Sequence, residues 1–463
     1  MMNANRKSHS VQRSHFRQHA KPVDAYRFFN LLTSPELLDT VEQHLPEHRE
    51  RLYPPTETLS MFLAQALSAD GSCQNVVNAA AMQRLVGGLT VCSTHTGGYC
   101  KARQRLPEAM VSALVKQTGK LVAKNSPRPW HWRGRPVRLI DGTTVTLPDT
   151  AANQARYPQQ GNQKPGLGFP ISRLVGVICL SSGVILDAVM GPYKGKGGNE
   201  QALLRRLLDS FQPHDLALGD SYYCTYFLMV ALLDRGVDFL FEQHGMRKRS
   251  TDFRQGQHLG PRDHLITWSK PVMPPEWMTR EQYEAAPACL TVREVKAGGK
   301  ILVTSLLNAK ATPKDALHAL YRSRWQVELD LRSIKTTLGM QTLSCKTPEM
   351  NEKEMWVYFL AYNLVRLLMA NAASYAEVLP RQLSFKHTVQ LWVFWRPYAT
   401  GASDEEHLRL LMVLIAQVRV GNRPGRTEPR AIKRRPKPYP LLMKPRPEAR
   451  EEIRLHGHPK KIK

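Results

Sequence analysis

The sequence predicts a mixed α/β core, preceded by an all-helical unit, interrupted by a β-rich insertion and followed by a basic arm. Three observations carry this. Residues 1 to about 130 show helical periodicity, as in SPELLDTVEQHL and SMFLAQALSA. Between about 131 and 244, short apolar runs alternate with helical segments. From 421 onward the composition turns basic and rich in proline.

The elements follow in order. Ser34 and Pro35 form an N-cap and first-turn pair. The polar stretch 124–129 reads as the exit from the helical unit. Residues 137–140 form a strand that ends in Asp141, and a Gln/Gly/Pro-rich loop runs on to about Pro170. Two apolar runs, 174–180 and 184–190, flank Ser181-Ser182-Gly183, a hairpin signal. Residues 200–211 are helical, and 215–219 form a short buried strand delivering Asp220. A helix over 226–235 stops at Gly236, before a strand over 237–241. The pattern lapses over 245–312, where the basic run GMRKRS precedes β-like pieces at 265–269, 290–295 and 300–307. One long amphipathic helix is expected over 313–338, then an apolar helix after Glu352 and another over 405–418. The expected boundaries are therefore 1–130 (helical), 131–244 (first part of the core), 245–312 (insertion), 313–375 (second part of the core) and 376–463 (C-terminal helices and tail).

At 463 residues the chain can bury large cores. Its 65 Lys plus Arg against 39 Asp plus Glu give +26, which draws polyanions to it by counterion release. Hydrophobic residues make up 42%, which excludes a wholly disordered basic chain. The seven cysteines include no C-x-x-C pair, which points to reduced thiols in the cytoplasm and not to a disulfide framework. Cys92, His95 and Cys100 lie close together but match no standard zinc spacing. The basic N-terminal stretch has no apolar core and is not a signal peptide. Residues 355–373 carry Tyr358, Tyr362, Asn363 and Arg366, so they read as a buried helix, not a membrane span. The tail from 421 holds 14 Lys/Arg and 4 Asp/Glu, and its prolines favour an extended arm.

On the 313–338 helix, Tyr321, Arg324, Glu328 and Lys335 share an arc of about 60°, and Asp330 faces the other way. Lys335 lies roughly 10 Å beyond Glu328 and Arg324 roughly 6 Å before it. That suits a metal-binding carboxylate flanked by groups gripping neighbouring phosphates. A solvated stripe with an Arg324–Glu328 ion pair, worth about 0.2–0.5 kcal/mol, explains the same pattern. Asp141 and Asp220 each end an apolar strand, where a carboxylate needs a partner or a metal. Taken singly, each also reads as a turn or cap residue. With Glu328 they form a triad spaced 79 and 108 residues apart. Three converging carboxylates repel unless cations neutralise them, and all-oxygen donors select Mg²⁺ or Mn²⁺.

DGTTVTLPDT, LALGDSYY and the series Tyr321, Arg324, Glu328, Lys335, which matches Y-x2-R-x3-E-x6-K at every position, resemble the motif blocks of DDE transposases of bacterial insertion sequences, insertion-sequence family four. The resemblance covers roughly 131–375. It implies an RNase H-like core and an enzyme that cleaves DNA at transposon ends and transfers the strand into target DNA. Asp141, Asp220 and Glu328 would hold two Mg²⁺ ions, for which Mn²⁺ can substitute. The implied partners are terminal inverted repeats, target DNA and a second copy in a homodimeric synaptic complex, in the bacterial cytoplasm on the nucleoid. Arg324 and Lys335 would anchor phosphates, and Tyr321 would donate a hydrogen bond to one. Relatives stack a flipped base on a Trp of the insertion; Trp268 and Trp277 are the candidates, with core packing the alternative for each. Trp325 reads as a core residue beside the site. His244 and Lys248 could track DNA, or belong to a solvated basic turn. A Mg²⁺-dependent structure-specific nuclease and an inactive DNA-binding relative are the competing functions. Asp330→Asn is expected to be mild. Removing residues after about 430 is expected to weaken DNA affinity and flatten its salt dependence, measured by titration at several salt concentrations; an unchanged slope would mean that the tail does not touch phosphate.

Overall fold

The computed structural model describes residues 43–44, 52–88, 92–161, 164, 166–195, 197–247, 250–395, 404–420 and 444–457. The Ser34–Pro35 pair lies outside them. Among the described residues, four helices precede the sheet: α1 (Pro55–Leu67), α2 (Cys73–Val86), α3 (Gly97–Arg105) and α4 (Glu108–Lys124). The sheet then opens with β1 (Val137–Thr146), followed by α5 (Ala151–Arg156), β2 (Ile171–Cys179), β3 (Ile185–Pro192) and α6 (Glu200–Arg205). Next come β4 (Leu216–Gly219), α7 (Tyr226–Leu233) and β5 (Asp238–Glu242). The insertion supplies β6 (Gln257–Gly260), β7 (Asp263–Ser269), α8 (Arg280–Ala285), β8 (Cys289–Ala297) and β9 (Lys300–Thr304).

Among the described residues, nine strands form one sheet in the order β3-β2-β1-β4-β5-β9-β8-β7-β6. The first three are antiparallel neighbours, and β4 and β5 run parallel to β1. This 3-2-1-4-5 order of three antiparallel and two parallel strands is the RNase H-like arrangement. The insertion continues the same sheet, because β9 pairs antiparallel with β5. Side chains alternate between two apolar layers. Leu139, Val145, Leu174, Leu216 and Leu218 enter one, and Ile140, Val175, Ala217 and Phe239 the other. Both faces being covered explains why these strands read as continuous apolar runs.

The β1–β4 ladder runs from Val137↔Leu216 to Leu139↔Leu218 and then stops. Asp141 and Asp220 each stand two residues beyond its last pair, at the same height on neighbouring strands. β1 itself does not end at Asp141, as the sequence suggested. It runs on to Thr146, held by β2 through Thr146↔Ile171. The polar loop beyond it contains α5, whose cap Thr150 accepts from the Asn153 N–H at 3.2 Å.

The expected single helix over 313–338 is broken into α9 (Lys314–Arg322), a 3₁₀ turn (Ser323–Trp325), α10 (Gln326–Arg332) and a π turn (Ser333–Thr337). Beyond it, the 28-residue α11 (Pro348–Tyr375) is the buried spine, joined by α12 (Phe385–Trp395) and α13 (Asp404–Gln417). Asn363 on α11 clips the outer edge of β3, donating to the Ile185 carbonyl and accepting from its N–H, both at 2.8 Å. It also donates to Val115 of α4. Gly119 of α4 lets that helix touch β3, since a Cβ there would meet the Ile185 carbonyl oxygen at 2.3 Å. No helix among the described residues is long and apolar enough to cross a membrane.

The tail is not wholly extended. Helix α14 (Arg446–His456) follows Pro445, with Pro447 in its first turn, where no amide donor is needed. The proline rule applies to helix interiors, and 448–456 contain none.

Asp330 faces away from the stripe, as expected, but into the core, where it is fully buried. It accepts from Arg366 at 2.6 Å and from Arg381 at 2.8 Å. Asp330→Asn leaves two guanidinium groups short of a buried counter-charge. The mild effect expected concerns cleavage; in unfolding free energy the buried network predicts a loss of about 3–5 kcal/mol. Denaturant titration checks this, and a loss below about 1 kcal/mol would show that the network tolerates a neutral partner.

Candidate active site

Asp141 and Asp220 share a sheet face with Leu139 and Leu218, by strand alternation. Helix α10 lies over that face. Arg324 donates to Glu328 Oε1 at 2.9 Å, and another of its nitrogens comes 3.8 Å from Asp141 Oδ2. One guanidinium thus ties the glutamate of the helix to the first aspartate of the sheet. Asp141 Oδ1 accepts from the Gly142 N–H at 2.8 Å, and Asp220 Oδ1 accepts from the Tyr222 N–H at 2.9 Å. Lys335, in the π turn, donates to Thr143 Oγ1 at 3.2 Å, one sheet position beyond Asp141 on the same face. Burial holds its amine below the usual value.

Burial pushes the Asp141 carboxyl up to about 7. The Gly142 amide and Arg324 pull the other way, and the nearby Asp220 and Glu200 carboxylates add to the rise. A pair of oxygen-donor side chains that are costly to ionise together is chemically suited to a hard divalent cation. In the present side-chain arrangement Arg324 supplies the positive charge. No group of three or more His, Cys, Asp or Glu among the described residues is set to grip a metal ion.

Tyr321 turns its hydroxyl to Glu242 Oε2 at 3.2 Å, and burial raises its pKa. Glu242 ends β5 and also pairs with Lys300 at 2.6 Å. The sequence reading missed Glu242, although it closes an apolar strand just as Asp220 does. It also missed Glu200 at the start of α6, whose carboxylate lies against Gly142. No local pattern marks that residue.

The tryptophans divide between core and surface. Trp268 is 4% exposed, donates to Glu294 Oε1 at 2.9 Å and is covered by the Arg247 guanidinium at 3.8 Å, so its ring offers no free face to a base. Its place in β7 among apolar neighbours explains this. Trp277 is 43% exposed, not a core residue, and Arg205 stacks on it at 3.8 Å. Trp325 is 56% exposed, again not a core residue. The 3₁₀ turn winds at about 120° per residue instead of 100° and carries it outward. His244 sits in a turn, its Nδ1 accepting from the Met246 N–H at 3.4 Å. Lys248 lies outside the described residues. All seven cysteines are free.

Residues 132–364 match the family model described as transposase DDE domain. Over 355 residues the chain is 31% identical to the transposase InsG for insertion sequence element IS4 of Escherichia coli (strain K12), spanning 74% of this chain and 78% of that one. A 137-residue stretch is 27% identical to the Escherichia coli protein InsZ, spanning 29% of this chain and 45% of that one. Among solved structures, the piggyBac transposase synaptic complex with hairpin DNA aligns over 88% of this chain and 87% of that one, at 11% identity and a TM-score of 0.42. The chain belongs to the DDE transposases of the IS4 family, divalent-metal-dependent enzymes that cleave DNA and transfer its strands.

Proposed function

We propose that Asp141, Asp220 and Glu328 are the catalytic carboxylates of this transposase and hold two Mg²⁺ ions, for which Mn²⁺ can substitute. The observation that supports this best is Arg324, which binds Glu328 and approaches Asp141, with the Asp220 carboxylate near Asp141 just past the end of the neighbouring strand. When bound, the two ions would supply Lewis-acid stabilisation of the attacking and departing oxygens of an in-line displacement. The chain's own groups orient the DNA. Arg324 and Lys335 flank Glu328 and serve as phosphate anchors along one strand, by charge and hydrogen bonding. The Tyr321 hydroxyl is a donor beside them, satisfied by Glu242 in this state.

The substrates in this reading are terminal inverted repeats and then target DNA, brought together by a homodimer working on the nucleoid. The helical segment before β1 and the basic tail serve as DNA-binding parts around the core, and 245–312 remains the insertion.

Asp141→Asn, Asp220→Asn and Glu328→Gln should each lower cleavage of transposon-end DNA by at least about a thousandfold while end binding stays largely intact. Gel assays of cleavage and end retention check this, and a variant that still cuts removes its residue from the triad. Joined products distinguish transposition from simple nicking.

Asp141 also sets a pH dependence. In the metal-free fold its proton is held to about pH 7, against an ordinary value of 3.8. Between those values the folded state binds more protons than the unfolded one, so stability falls as pH rises through the window. Ionised Asp141 therefore costs the metal-free fold on the order of 2–4 kcal/mol above that window. Asp141→Asn should raise the melting temperature of metal-free protein at about pH 8, with the gap closing towards pH 4. Equal melting at both pH values would mean that Asp141 ionises freely.

A further inference from the structure

We propose that Glu200 is a positioning residue for Asp141, acting across the sheet through Gly142. This rests on the reading of Asp141 as a catalytic carboxylate. Glu200 is the first residue of α6, whose cap Asn199 accepts from the Ala202 N–H at 2.8 Å. From there its carboxylate reaches the reverse face of β1. A Cβ at position 142 would come within 2.4 Å of Glu200 Cδ and 2.7 Å of its Oε1. Gly142 has no positive φ, so this glycine provides space and not an unusual backbone angle. Glu200 thereby bears on the peptide whose N–H, 2.8 Å from Asp141 Oδ1, holds that carboxylate.

The Glu200 side chain is itself held. Tyr223 donates its hydroxyl to Oε2 at 3.3 Å, and Arg173 Nε lies 3.9 Å from Oε1. Arg173 stands on β2 opposite Thr144, so the strand that extends β1 also carries the cation restraining Glu200. A side chain needed only to fill that space could be apolar, whereas Glu200 is a polar group held by the Tyr223 hydroxyl, with the Arg173 guanidinium nearby.

The test uses the full chain and transposon-end DNA. Single-turnover cleavage, end affinity and Mn²⁺ affinity (by electron paramagnetic resonance) are measured separately. Glu200→Ala should lower both cleavage and Mn²⁺ affinity about 10- to 100-fold, with end affinity unchanged. Glu200→Gln, which keeps the shape and the Tyr223 hydrogen bond, should recover most of the loss. Gly142→Ala should cost about as much as Glu200→Ala. The double variant should be no worse than Gly142→Ala alone, because the alanine at 200 vacates the space that the new Cβ takes. The proposal is overturned if Glu200→Ala cleaves at the wild-type rate while Asp141→Asn is dead, or if the double variant's loss is the product of the two single losses. It is also overturned if Glu200→Ala loses end binding in parallel with cleavage, which marks a role in folding alone. Should Asp141→Asn itself cleave, the carboxylate assignment fails, and this proposal with it.

Discussion

The geometry of this molecule depends on a buried charge network around Asp330. Helix α10, which carries Glu328, has only seven residues and is bounded by a 3₁₀ turn and a π turn. So short a helix has little stability of its own, and tertiary contacts must fix it. Asp330 provides the anchor by meeting Arg366 of α11 and Arg381 beyond it. The same two arginines reach the β2–β3 hairpin. Arg381 donates to the carbonyls of Leu180 and Cys179, and the Arg366 guanidinium fills the space beside Gly183, whose φ of +81° suits glycine. β2 in turn holds the extension of β1 on which Asp141 stands. One buried network thus references the glutamate of the helix and the aspartate of the sheet to a common frame.

The second constraint is where the parallel ladder stops. Beyond Leu139 and Leu218, β1 keeps only its β2 partner, while β4 turns into the short 3₁₀ segment Ser221–Tyr223, for which Asp220 is the cap. The gap between separating strands is where ligands sit in open α/β sheets. Its walls here are carboxylates, with Arg324 and Lys335 above. The net charge of +26 draws polyanions to the protein as a whole.

Much of this was legible in the residues, for identifiable reasons. The hairpin showed because Gly183 breaks two apolar runs, and the aspartates showed because charge is unwelcome at the end of a buried strand. Asp330 was placed on the opposite helical face by angle alone, but angle cannot say whether a face meets water or two arginines. The break in the 313–338 helix was hidden because a 3.6-residue template averages over single 3₁₀ and π turns, and with it went the orientation of Trp325. Glu200 was hidden for another reason. Its partner Gly142 lies 58 residues away, and only the folded sheet brings them together. For Trp268 the sequence left base stacking and core packing open, and only the pairing of β7 with β8, beside Glu294, decides for the core.

The continuity of the nine strands has a consequence for anyone hoping to treat the insertion as an exchangeable module. Excising it would strip β9 from β5 and leave the outward-facing backbone groups of Leu240–Glu242 unpaired on that edge, with β4 still on the other, beside the stacked rings of Phe239 and Phe241. A bare apolar border of that kind invites intermolecular strand pairing and precipitation. Any shortened or chimeric version would have to retain a strand in β9's position, or replace it with a charged or proline-blocked substitute.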